Sequence, residues 1–175
     1  MPKPSKRLTK AFTDQIQYEF GAMMQYVAIA NHFTEETLPE LAAFFYRQAD
    51  EERTHAMKFV HFLLDVGAHV EIPEVPAPKH TFKSAEEAVA LALKSEEKVT
   101  EKISQLVDLA REENHHAAQR FLDWFVVEQQ EEEATMSALL KTVQRAGESG
   151  LLLVEQYLSR QGGQISSPGG EAEAT

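Results

Sequence analysis

The stretch Glu51-Glu52-Arg53-Thr54-His55 decides how the rest of the chain is read. On an α-helix, Glu52 and His55 lie three positions apart and project from one face, offering a carboxylate and an imidazole to a single cation. Taken alone, a Glu-x-x-His pair on a wet helix face is only an acidic surface patch. What changes the reading is the line in which the pair stands. Leu41, Phe45, Gln48, Glu52, His55, Phe59, Phe62 and Val66 recur every three or four residues, so both candidate ligands belong to the apolar stripe of one helix.

Upstream, Leu8, Phe12, Ile16, Phe20, Met23, Val27, Ala30 and Phe33 predict an amphipathic helix from about Ser5 to Thr34, with Glu19 inside its stripe. A turn ends at Pro39, a residue tolerated in the first turn of a helix, and the second helix is expected to run to about Val66, with Gly67 ending it. Residues 67–83 carry Pro73, Pro76 and Pro78 and no helical period, which predicts a long extended connection. At ~3.3 Å per residue such a segment reaches roughly 55 Å, more than the ~45 Å length of a thirty-residue helix, so it can carry the chain back to the end it came from.

Ser84 followed by Glu87 reads as a capping box opening a third helix. Its stripe is Val89, Leu93, Val99, Ile103, Leu106, Val107 and Ala110, with Glu96 among them. After Asn114-His115-His116 a fourth helix carries Phe121, Leu122, Phe125, Met136, Leu139, Leu140 and Val143. At 100° per residue their mean direction nearly coincides with Glu132 and passes close to Gln129, leaving Glu128 and Glu131 nearer the edge. Gly147 and Gly150 precede a short apolar segment, Leu151 to Leu158.

The expected architecture is all-α: a four-helix bundle with a long crossover between helices 2 and 3 and a short fifth helix. Residues 1–161 are expected to form this one domain, and the small, polar residues 162–175 a disordered tail. Each long helix places one acid near its midpoint on the apolar side, so Glu19, Glu52, Glu96 and Glu132 are expected to converge. An up-down-up-down bundle brings them together almost as well, so this reasoning leaves the topology open.

Composition narrows the chemistry. With no cysteine, disulfides and thiolate metal sites are excluded. A net charge of -11 argues against a phosphate-backbone partner, which rewards clustered Lys and Arg, and favours cations. No apolar run approaches the ~20 residues that cross a bilayer. The basic start, Met1 to Arg7, leads into an amphipathic segment rather than a signal sequence, so no membrane association and a cytoplasmic location are expected.

Several carboxylates in an apolar interior repel one another and lose hydration unless protonated or neutralised. Two bound divalent cations supply that charge, and an oxygen-rich set with one imidazole suits iron or manganese, with zinc also able to occupy it. Glu52, central in the set, is the natural bridge between two ions.

Glu19, the Glu52-x-x-His55 pair, Glu96 and the run Trp124 to Glu133 together resemble the ferritins, specifically the prokaryotic non-haem type, over about residues 5 to 160. The resemblance implies a 24-subunit shell that oxidises Fe(II) with oxygen or peroxide and stores Fe(III) as mineral. It implies that Glu19, Glu52 and His55 hold one iron of a di-iron centre and Glu52, Glu96 and Glu132 the second, with Gln129 adjacent. Glu51, Glu128 and Glu131 match the extra carboxylates of a third, weaker iron site. Tyr26, seven residues after Glu19 on the same face, matches a tyrosine that can supply an electron; as a plain core residue it would simply bond a carboxylate. The chain departs from the haem-binding branch at two places. Gln129-x-x-Glu132 stands where that branch has a second Glu-x-x-His, and Arg53 stands where it has the haem-ligating Met, so no haem is expected.

Overall fold

A computed structural model describes residues 3–162. Four long helices, α1 (Lys6–Glu35), α2 (Pro39–Asp65), α3 (Ala85–Glu112) and α4 (His116–Ala146), are followed by a short α5 (Leu151–Arg160). The bundle is all-α, and the extended crossover between α2 and α3 is in place. The expected tail beyond Gly162 lies outside the described residues.

Two apolar clusters fix the direction of every helix. One gathers the C-terminal half of α1 (Ile29, Phe33), the N-terminal halves of α2 (Leu41, Phe45) and α3 (Val89, Ala92), and the C-terminal half of α4 (Met136, Leu139). The other gathers the opposite halves: Leu8 and Phe12, Phe59 and Leu63, Ile103 and Leu106, Leu122 and Phe125. Hence α1 and α4 run one way, α2 and α3 the other. This arrangement, left open by the sequence, is what a crossover spanning the bundle's length requires. Gly67 stops α2 with φ +72, a left-handed backbone that favours glycine. The returning strand is then clamped to α1, where the Gln25 amide donates to the Lys79 carbonyl and accepts from the Lys79 N–H, both at 2.9 Å.

Caps explain where the helices begin. The Ser5 hydroxyl accepts from the Leu8 N–H, and the Ser84 hydroxyl from the Glu87 N–H at 3.1 Å. The predicted box at Ser84 closes on only one side, because the Glu87 carboxylate takes the Lys83 N–H instead of that of Ser84. The start of α2 has no cap of its own. The Glu155 carboxylate, from α5, accepts the N–H groups of Glu40 and Leu41 at 2.8 and 2.9 Å. Glu148 likewise accepts the first N–H of α3, at Ala85. A carboxylate at a helix N-terminus also opposes the positive end of the dipole. Thus α5 is held by ionic capping as well as by burial of Leu151, Val154 and Leu158.

Candidate metal centre

Between the two apolar clusters lies a polar layer. Glu19 projects into it from α1, Glu52 and His55 from α2, Glu96 from α3, and Gln129 and Glu132 from α4, all of them buried. The predicted stripe positions therefore converge. Ligand atoms of Glu19, Glu52 and His55 lie within 4.8 Å of one another, and those of His55, Glu128 and Glu132 form a second such group that shares the imidazole.

The α1/α2 half of the layer is short of partners. Glu19 Oε2, Glu52 Oε2 and His55 Nδ1 are buried with no hydrogen bond. His55 Nδ1 stands 3.6 Å from Glu52 Oε2, while Nε2 stands 3.5 Å from Glu128 Oε1. Its ring is held edge-on to Trp124 and Phe125 at 5.5 and 5.8 Å. One Glu19 oxygen is fixed by Gln15, whose amide donates at 2.8 Å, while the carboxyl faces Glu52 closely enough to share a proton. Two facing acceptors need a proton or a cation between them.

Glu96, in the α3/α4 half, is satisfied. The Tyr26 hydroxyl donates to one oxygen of Glu96, and the Gln129 amide donates to the other at 3.2 Å. Gln129 also reaches Thr100.

Burial dominates the electrostatics. Loss of hydration raises the Glu19 and Glu52 carboxyls, and at Glu52 the neighbouring Glu96 and Glu19 charges push further. Glu96 is pushed up to about 7 by burial, against the lowering effect of its bonds from Tyr26 and Gln129. Glu132 is pushed up to about 9 by burial and by the charge of Glu96. Burial likewise lifts the Tyr26 phenol well above its ordinary value, with the Glu96 charge adding to it. At neutral pH Glu132 therefore keeps its proton and Glu96 is about half protonated unless a cation displaces the proton, and burial pushes Glu19 and Glu52 in the same direction.

Toward solvent, Glu51 and Glu128 line a cavity of about 360 Å³ that reaches His55. Glu51 is exposed, and burial of its inner part raises its pKa. Glu131 is also exposed, but it neither lines this cavity nor joins either ligand group. Sequence reasoning missed Gln15 and gave no role to Gln48, which it placed on the stripe and which donates to Glu51. Both stand four residues before a buried acid on the same stripe. A polar residue at i−4 from Glu19 or Glu52 was the available signal.

This site occurs in a chain whose residues 9–146 match the family profile of the ferritin-like domain. The chain belongs to the ferritin family. It is similar to ferritin BfrB of Mycolicibacterium smegmatis, 46% identical over 148 residues, covering 85% of this chain and 81% of that protein. The bacterial non-heme ferritin of Staphylococcus aureus is 37% identical over 156 residues, covering 88% and 94%. Among solved structures, an open pore ferritin from Archaeoglobus fulgidus superposes with a TM-score of 0.87 at 30% identity, covering 91% of this chain and 98% of that one. Ferritins are iron-storage proteins, and the polar layer of this ferritin holds carboxylate and imidazole groups able to bind a metal.

Proposed function

We propose that this ferritin is a ferroxidase. Two Fe(II) ions are its substrates, bound inside one subunit. Glu19, Glu52 and His55 would hold the first, Glu52, Glu96 and Glu132 the second, with Gln129 keeping Glu96 in place. The observation that carries the reading is the trio of unpartnered buried atoms, Glu19 Oε2, Glu52 Oε2 and His55 Nδ1, on side chains that meet within 4.8 Å. Leaving such groups without partners costs about 1–3 kcal/mol each, which a bound cation removes.

The charge balance follows from the raised carboxyls. Entry of Fe(II) displaces protons from Glu52, Glu96 and Glu132, so binding tightens as pH rises. Oxygen or peroxide then accepts electrons from the two ions, which leave as Fe(III). Two Fe(II) supply the two electrons that, with two protons, take oxygen to peroxide or peroxide to water. With a third Fe(II) at the outer carboxylates, Tyr26, whose hydroxyl is bonded to Glu96, would supply the fourth electron for oxygen to reach water. Glu51 and Glu128, with Glu131 at the exposed edge, would form a weaker, wetter station between the centre and the surface. Fe(III) would be stored as mineral within a shell of 24 copies of the chain, in the cytoplasm.

The test is oxygen consumption after anaerobic loading with Fe(II). Wild type should consume oxygen rapidly, and Glu52→Ala should lose the fast phase. An equal rate in the variant contradicts the catalytic assignment. Electron micrographs test the shell separately: hollow particles support it, and dimers or monomers remove it.

A further inference from the structure

The crossover, α1 and α3 enclose a cleft of about 350 Å³ that the iron chemistry does not use. Its walls are apolar where the crossover and α3 meet, at Pro76, Pro78 and Leu91, and the Tyr18 ring closes one end. Its floor is Ala22 and Val99, each one helical turn from an acid of the polar layer, Glu19 and Glu96.

The rim is cationic in a chain of net charge -11. Lys94 and Lys98 stand one turn apart on α3, and Lys102 continues the row toward an adjoining cavity of about 280 Å³. Among the described residues, none of the three is ion-paired with a carboxylate. Lys98 and Lys102 lie 4.8 and 5.8 Å from the Tyr18 ring, Lys102 also donates to the neutral Gln105 amide at 3.2 Å, and among the described residues Lys94 has no hydrogen bond or ion pair. Elsewhere, Lys10 and Lys79 are each matched to an acid at 2.7 Å. Uncompensated ammonium groups beside an apolar slot are complementary to a molecule with one flat apolar end and one anionic end.

We infer that this cleft is a binding site for a small aromatic anion, its ring between Pro76, Pro78 and Leu91 and its charged group between Lys94 and Lys98. The size suits such a ligand, since small-molecule pockets begin at about 300 Å³. Neighbouring positions on one helix face place both ammonium groups within reach of a single anionic group.

The test uses the assembled full-length protein and two fluorescent probes that share the same rings: anilinonaphthalenesulfonate, which is anionic, and N-phenylnaphthylamine, which is neutral. The sulfonate should saturate one site per chain and weaken about tenfold in the variant Lys94→Gln/Lys98→Gln, equivalent to about 1.4 kcal/mol. The neutral probe should bind both proteins alike. Both lysines are exposed, so the variant keeps its fold. A second variant fills the slot: Gly21 lines the cleft, and a Cβ there meets nothing within 4 Å, so Gly21→Leu places its side chain in the cavity without displacing the backbone. It should abolish binding of both probes while circular dichroism stays helical. Sulfonate affinity unchanged by the lysine substitutions, or binding that survives Gly21→Leu, overturns the assignment.

Discussion

The two halves of the polar layer hold the same kinds of residue and are finished differently. In the α3/α4 half, both oxygens of Glu96 receive hydrogen bonds, from Tyr26 and Gln129. In the α1/α2 half, one oxygen each of Glu19 and Glu52 and one nitrogen of His55 receive none. Burial is equal, so burial alone does not decide which acid is costly. The difference lies in the neighbours: Glu96 is bonded through both oxygens by protein, whereas Glu19, Glu52 and His55 keep atoms that only something added can satisfy.

That contrast can be broken most strongly at Glu52. Its removal as Glu52→Ala is expected to slow Fe(II) oxidation on the order of 100-fold, measured as initial oxygen uptake. A loss of only twofold would mean that the unfinished half is not the reaction site.

Next in size is an opposition of sign between the halves. In metal-free protein Glu52→Gln removes a buried acid that keeps one oxygen unpartnered and faces the Glu19 and Glu96 charges, so the thermal midpoint should rise. Tyr26→Phe takes a donor from Glu96, so the midpoint should fall, by about 1–3 kcal/mol of stability. Calorimetry on both variants checks this, and shifts of the same sign would erase the distinction between the halves.

The pH response sharpens it further. The folded chain holds protons on Glu96 up to about pH 7 and on Glu132 up to about pH 9, whereas an unfolded carboxylate releases its proton near 4.5. Between those limits the folded state binds more protons than the unfolded state, so metal-free stability is fully present below 4.5 and is lost as pH rises toward 9. A redox-inert divalent ion, zinc for instance, should flatten that decline while releasing protons on binding. Melting curves that rise with pH in the metal-free protein would contradict the raised carboxyls.

The smallest effect belongs far from the layer. Glu155→Gln weakens the cap on α2 and should cost about 0.5–2 kcal/mol in thermal unfolding, with zinc affinity unchanged. A change in affinity would mean that α5 communicates with the centre.

Much of this was legible in the sequence, because the deciding signals were periodic. Glu19, Glu52, Glu96 and Glu132 stood on apolar stripes, and a side chain on a stripe is buried wherever the helix packs. The proline-bearing segment 67–83 announced the crossover. Helix direction was not legible in the stripes, which are the same read up or down, and only the length of the crossover pointed to it; the packing of Phe12 against Phe59 and Phe121, with Ile103 in the same cluster, bears it out. The caps at Glu40 and Ala85 were hidden for the same reason, because Glu155 and Glu148 lie more than sixty residues away from them. Gln15 and Gln48 were visible as polar interruptions, but which acid each amide would meet depends on side-chain rotamers that periodicity does not encode. Glu131 shows the converse limit: its angular position fell near the edge, and the edge proved to be solvent.

The central claim is that the unfinished half is finished by cations. Anaerobic crystals soaked in ferrous salt, with anomalous diffraction recorded at the iron edge, test it directly. Two peaks should appear in the polar layer, both against Glu52, one beside Glu19 and His55 and the other beside Glu96 and Glu132. An empty layer in crystals that carry iron elsewhere would contradict the account.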